Sequence, residues 1–353
     1  MGHRTRQAML AAAVALALVL PAVAQDRGVL STPAAKVVVR GAGATFPAPL
    51  YEKWITTFQQ QNPDVAITYD VVGSGEGQKR FLARGVDFGA SDAALNDEQL
   101  ASVKPGAKLV PVTAGMVVLA YNLPGLGGDL RLSRTVCADI FSGRIKTWDD
   151  PKIRTENPGL ALPRRSIVPV VRQDGSGTTY AFSSHLSAIS AEWRDQGPGV
   201  GTLLSWPGNT MRARGNEGVA GRIKVSEGSI GYVEYHFAKR LGLPMAHLQN
   251  RAGRFIAPSE TSGQTALTRN VTQMPANLRL FMPDPEGEDA YPIVSFSWLL
   301  LYDRYPDPVK AAALKKFVAW GLTEGQNFSR PLGYIPLPGE VASLSLAALE
   351  QIH

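Results

Sequence analysis

Cysteine is almost absent: Cys137 stands alone among 353 residues. An internal disulfide is therefore impossible, and a metal site would have to come from histidine and carboxylates. Histidine is scarce too. His3, His185, His236, His247 and His353 are scattered without ligand spacing, which leaves no case for a structural metal. Cys137 reads instead as a small buried hydrophobe. No apolar run reaches the roughly 20 residues that a membrane-spanning helix needs. Lys/Arg blocks and basic–aromatic stripes are missing, so nothing argues for a nucleic-acid partner. Glycine-rich nucleotide signatures are incomplete: Gly41-x-Gly43 lacks the third glycine of a dinucleotide fingerprint, and no Gly-Lys-Ser/Thr loop occurs.

What is present begins with a leader. Arg4 and Arg6 precede an apolar run from Met9 to Leu20, and Ala22-Val23-Ala24 supplies the small residues of a cleavage site before Gln25. Residues 1–24 are read as a cleaved export signal and 25–36 as a linker. The formal charge of +6 falls by two once the leader arginines are removed. That modest excess suits an anionic partner but equally serves solubility.

From Val37 onward, short apolar runs alternate with amphipathic stretches, the pattern of βα units and a largely parallel sheet. Strands are expected at Val37–Arg40, Ala66–Val72, Val86–Ala90, Gly115–Tyr121, Ile167–Val171, Ser229–Val233 and Ile293–Tyr302. Helices are expected after residue 46, with Tyr51, Trp54 and Phe58 on one face, from an opening in the run Gly73–Gly77 through Phe81 and Leu82, and near Asn96, where Gln99 completes a capping box. A helix carrying Phe182, Leu186 and Ile189 follows Thr179, and Val309–Leu322 is amphipathic. Residues 251–288 are polar, rich in proline and hard to assign.

Four segments share one design, in which a strand ends in Gly, Ser, Thr or Asp and, in most cases, a helix then starts. Unpaired N–H groups and partial positive charge make helix N-termini anion sites, and open α/β sheets bind ligands beyond the carboxyl ends of their strands. The segments are Thr45-Phe46, Ser74, Ser91-Asp92 and Arg172–Thr179. Each has a plain structural reading as well. Gly41–Ala44 makes a tight turn, Ser74 caps a helix, Asp92 fits a turn or cap, and Arg172 with Asp174 fits a surface ion pair.

These same segments carry a resemblance. Gly41–Pro49 (GAGATFPAP), Val86–Asp92 (VDFGASD) and Asp174–Thr178 (DGSGT) resemble three signatures of the periplasmic phosphate-binding proteins that serve phosphate ABC transporters. Further similarity at Ile140–Asp150, Gly228–Glu234 and Glu288–Ile293 extends it, in order, from Gly41 to Tyr334. The resemblance implies an α/β fold of two lobes, with two mixed sheets flanked by helices and joined by hinge strands. Lobe I would comprise residues 37–113 and 289–353, and lobe II residues 114–288, with phosphate in the cleft between them.

It also assigns the phosphate ligands. Thr45 would donate through its hydroxyl and amide, Phe46 through its amide, and Ser74 through both. Arg172 would donate from its guanidinium, oriented by Asp174, while Ser176, Gly177 and Thr178 would supply amides and hydroxyls. Asp92 would accept a proton from the ligand, which phosphate near neutrality carries and sulfate does not; mismatched buried hydrogen bonds reject an analogue by about 10⁴–10⁵-fold. One departure is Glu76, where that family has a small residue. No cofactor and no catalysis are implied. The implied partners are inorganic phosphate and membrane permease subunits, and the protein would be a periplasmic monomer.

Other readings stay open on sequence alone. Arsenate has the same protonation chemistry as phosphate. An esterase would need a base beside Ser74 or Ser176, neither of which lies in Gly-x-Ser-x-Gly; His185 follows Ser176 on the next helix. A secreted scaffold could keep such a fold without transport.

Overall fold

The computed structural model describes residues Lys36–His353, which form one unit. The leader reading, and that of the linker before Lys36, lie outside the described residues. Eleven strands occur in chain order: β1 (Val37–Gly43), β2 (Val65–Val71), β3 (Phe88–Ser91), β4 (Ala107–Tyr121), β5 (Arg131–Leu132) and β6 (Val168–Arg172). They continue with β7 (Met211–Ala213), β8 (Ser229–Glu234), β9 (His247–Gln249), β10 (Phe255–Ile256) and β11 (Val294–Tyr302).

Eight of these form a mixed sheet in the order β2-β1-β3-β11-β4-β8-β6-β7. At one end, β1 runs parallel to β2 and β3; at the other, β6 runs parallel to β7 and β8. Between these sets lie β11 and β4, antiparallel to each other and to their neighbours. The two expected sheets are thus fused through β4, a 15-residue strand that pairs with β11 over its first part and with β8 over Val117–Tyr121. From Leu109 onward every residue of β4 is buried, which explains its nearly unbroken apolar run. A second sheet, β10-β9-β5, joins strands drawn from residues 131–256.

The first strand is longer than its sequence promised. Gly41 and Gly43 belong to β1 through their pairing with β2 and β3, and only glycine fits there because neighbouring chain occupies the space where a side chain would sit. A Cβ on Gly41 would come within 2.1 Å of the Phe88 ring, and one on Gly43 within 2.0 Å of the Ala90 carbonyl oxygen. The helix Ala48–Gln61 then buries Leu50, Tyr51, Trp54 and Phe58, as their spacing predicts. Trp54 donates Nε1–H to the Gly325 carbonyl at 2.7 Å, Trp148 to Gly228 at 2.9 Å and Trp298 to Leu278 at 2.7 Å, so these buried indoles leave no donor unpaired. Cys137 is buried in the helix Arg134–Phe141, and burial pushes its thiol up to about 12.

Among the helices that escaped the sequence reading are Gly215–Val225, Glu260–Asn270 and Gly339–Glu350. The second lies in the stretch that was hard to assign. Its buried face is Ser262, Gly263, Ala266, Leu267 and Asn270, and Gly263 packs so closely that a Cβ would meet Ile335 and Met116 at 2.8–2.9 Å. Small residues at a close approach give little hydrophobic periodicity. The Asn96–Gln99 capping box, by contrast, forms as expected. Among the described residues no helix is long and apolar enough to cross a membrane.

The Gly41–Phe88 contact gives a stability test. Gly41→Ala is expected to cost about 1–3 kcal/mol through overpacking, read from the urea midpoint, and Phe88→Leu should recover part of the loss. An unchanged midpoint in Gly41→Ala would contradict the close packing.

Candidate functional site

All four segments singled out in the sequence meet where parallel strands end. Thr45 and Phe46 follow β1, Asp92 follows β3, and Arg172 is the last residue of β6. Ser74 is the first residue of the helix Ser74–Leu82, and Ser176 is the N-cap of the helix Gly177–Ile189. Groups from the two ends of the sheet come into direct contact. A Cβ on Gly177 would lie 2.6 Å from both Ser74 Oγ and Asp92 Oδ2, while Gly75 donates its N–H to the Gly175 carbonyl at 2.9 Å. The Gly175 conformation is held in turn by Ser176, whose N–H is committed to the Thr202 carbonyl at 2.8 Å. Ser176 therefore offers its hydroxyl rather than the amide also expected of it. Gly177 and Thr178, in the first helical turn, keep the unpaired N–H groups of a helix start.

Arg172 and Asp174 form a fork. Arg172 Nε donates to Asp174 Oδ1 at 2.8 Å, a second guanidinium nitrogen bonds Oδ2, and the Gly215 N–H adds a contact to Oδ1 at 3.0 Å. Burial alone would raise the Asp174 carboxyl, but its bonds to Arg172 and that residue's charge hold it below the usual range. The guanidinium is almost fully buried and has N–H groups beyond those given to Asp174. It is a fixed cation rather than a surface pair.

Asp92 is the opposite case. It is 1% exposed; Ser297 Oγ donates to Oδ1 at 2.8 Å, and Ser74 Oγ approaches Oδ2 at 3.4 Å. Burial pushes its carboxyl up to about 7, with Ser297, the Arg172 charge and Ser74 opposing the rise. The Ser74 hydroxyl also accepts from the Asp92 N–H at 3.3 Å. Phe46 contributes backbone only. Its ring is buried beside Tyr334, and its carbonyl accepts from the Tyr334 hydroxyl at 2.7 Å.

Glu76 turns along its own helix and accepts from Arg80 Nε at 2.9 Å, which lowers its carboxyl below the ordinary value. It lines an open groove of about 1120 Å³ that also touches Thr45, Gly75, Asp174, Gly175 and Gly215. Asp92, Arg172 and Ser176 are not on that groove; they are sealed behind the contact of Gly75 with Gly175.

Three residues went unnoticed in the sequence. Ser297 sits on β11, a strand whose apolar run hid the alternation of Ser295 and Ser297. Gly215 and Asn216 follow β7 and open a helix, the same strand–turn–helix design as the other segments, masked because β7 has only three residues. Asn216 reaches Thr45 and Thr178 at once. His185 does not join the site: its Nδ1 is 2.7 Å from the Pro283 carbonyl oxygen, and burial lowers its imidazole to about 4. Among the described residues no group of three or more His, Cys, Asp or Glu side chains is placed to hold a metal ion.

Residues 30–324 match a family model described as a PBP superfamily domain. The chain is 38% identical over 304 residues to the phosphate-binding protein PstS of Pasteurella multocida, spanning 86% of this chain and 87% of that one. It is 36% identical over 337 residues to the protein of the same name from Methanocaldococcus jannaschii, spanning 90% and 86%. A solved phosphate-binding protein from Stenotrophomonas maltophilia shares the fold, with a TM-score of 0.72 at 21% identity over 88% of this chain and 94% of that one.

The raised Asp92 carboxyl makes stability depend on pH. Below about pH 4 the group is neutral in folded and unfolded chains alike. Between about pH 4 and 7 the unfolded chain ionises while the folded one holds its proton, so stability falls as pH rises. Anion-free wild type should lose up to about 4 kcal/mol more over this range than Asp92→Asn, measured by urea unfolding at several pH values. Equal slopes would show that Asp92 is not held protonated.

Proposed function

Because the chain belongs to the PBP superfamily and, within it, to the phosphate-binding protein family, we propose that it captures inorganic phosphate between its two halves and delivers the ion to the permease of an ABC transporter. Residues 37–113 and 289–353 form the first lobe on this reading, and residues 114–288 the second. The leader directs export and is removed, leaving a periplasmic monomer. The relatives from Pasteurella multocida and Methanocaldococcus jannaschii are named for phosphate binding, and the chain aligns with most of their length.

The observation that carries the reading is a buried carboxylate, Asp92, set among donors. Arg172, the amides at Thr45, Phe46, Gly177 and Thr178, and the hydroxyls of Thr45, Ser74, Ser176 and Thr178 all favour an anion. Asp92 disfavours one unless it brings a proton to share. Phosphate near neutrality does so, whereas ionised sulfate presents acceptors only. Direct contacts between the halves, Gly75 to Gly175 and Asn216 to Thr45, give a ligand held from both sides a preference for the closed arrangement. Binding then shifts the population toward it, and the closed form is what the permease meets.

Glu76 does not oppose this, since Arg80 neutralises it on the groove side. No covalent step belongs to the reading. Ser176 Oγ accepts from the Thr179 N–H at 3.0 Å, and the His185 ring is turned to Pro283. Arsenate shares phosphate's protonation and would compete for the same site.

Calorimetric titration of protein freed of anion by unfolding and refolding tests the proposal. At pH 8 phosphate should bind one-to-one, with sulfate weaker by about tenfold, the cost of placing a proton on a carboxyl near 7 one pH unit higher. On acidification below pH 7, Asp92 keeps its own proton and can donate it, so the gap should narrow. Asp92→Asn should accept sulfate throughout the pH range. Absence of phosphate binding by the wild type would sink the proposal.

A further inference from the structure

Asn216 is buried with no exposed surface and touches both halves of the site. Its orientation is settled by its surroundings. The Glu234 N–H, which can only donate, meets one end of the side-chain amide at 3.0 Å, so that end is Oδ1. The other end is then Nδ2, which donates to Thr45 Oγ1 at 2.9 Å and to Thr178 Oγ1 at 3.1 Å. The Asn216 backbone N–H also donates to Thr45 Oγ1, at 3.2 Å.

A hydroxyl has two acceptor sites and one proton. Both acceptor sites of Thr45 are taken by Asn216, and one of those on Thr178. From this we infer that Asn216 is a positioning residue. It fixes the polarity of the two threonine hydroxyls so that their protons point away from it and toward the anion, and it does so only when the halves are together, because Thr45 and Asn216 come from opposite ends of the sheet. The inference rests on the phosphate reading and deepens it. The threonines are set as donors before the ion arrives, so binding need not reorient them. Preorganisation of this kind raises affinity by removing an ordering cost.

Reversing the amide's polarity is the direct test. In Asn216→Asp the oxygen facing Glu234 remains an acceptor, but the opposite oxygen accepts from the threonine hydroxyls and draws their protons off the ligand. Phosphate affinity at pH 8, by titration of inorganic phosphate into anion-free protein, should fall about 100-fold or more, the scale of a lost charge-assisted hydrogen bond joined by a like charge. Asn216→Ala, which adds no charge, should cost about 10-fold. That smaller cost should vanish when Thr45→Val and Thr178→Val are already present, because no hydroxyl is left to orient.

A cost for Asn216→Ala that persists undiminished in the valine background would overturn the inference, leaving Asn216 a packing residue. So would wild-type affinity in Asn216→Asp. Failure of the wild type to bind phosphate would sink the proposed function itself, a result distinct from both. Should the Asn216 variants not fold, a neutron structure of the wild type with phosphate decides the matter. Threonine protons directed at the phosphate support the inference, and protons directed at Asn216 refute it.

Discussion

Taking a charged oxyanion out of water forfeits strong hydration, and only a dense set of fixed donors offsets that loss. Much of the site's architecture follows from this constraint. Donors must converge from all sides, so they must come from several strand ends. They must also be dry, so the strand ends must close on one another. The order of the main sheet meets both demands, with parallel sets at its two ends and β4 and β11 joining them. The carboxyl ends of β1, β3 and β6 then carry Thr45, Asp92 and Arg172 to one place.

Closure at this density depends on having no side chain where the halves touch. Gly75 and Gly175 meet backbone to backbone, and a Cβ on either would lie 3.0 Å from the other's Cα. Gly177 meets Asp92 and Ser74 still more closely. These glycines are therefore read better as contact surfaces than as flexible turns. The outer groove ends at that contact, which explains why it is adjacent to the buried carboxylate and does not contain it.

Much of this was legible in the sequence, for a physical reason. A helix N-terminus that binds an anion needs glycine, a small hydroxyl and a preceding strand, and that combination is local in the chain at Ser74 and at Arg172–Thr179. The resemblance of Gly41–Pro49 and Val86–Asp92 to a known family supplied the rest of the donor set. Ser297 was not legible, because a single hydroxyl on a buried strand is indistinguishable from a tolerated core serine until Asp92 is seen 2.8 Å away. Asn216 was lost because β7 is too short to announce a strand end. The helix Glu260–Asn270 was missed because its buried face is made of small and polar side chains.

The selectivity of the site then rests on direction more than on charge. Each hydroxyl placed there already accepts a hydrogen bond from the protein: Ser74 from the Asp92 N–H, Ser176 from the Thr179 N–H, and Thr45 and Thr178 from Asn216. A hydroxyl that accepts in this way keeps one proton to give, and Thr45 alone has both acceptor sites taken. Asp92 is treated in the reverse sense. Ser297 donates to Oδ1, and Oδ2, which only the distant Ser74 hydroxyl approaches, is the acceptor left to a ligand. Simple attraction between Arg172 and an anion would admit sulfate as readily as phosphate. On the phosphate reading, a ring of donors facing one carboxylate that must share a proton would distinguish the two by where the hydrogen atoms sit. On the phosphate reading, with the Asp92 carboxyl near 7, the shared proton could reside on either partner around neutrality.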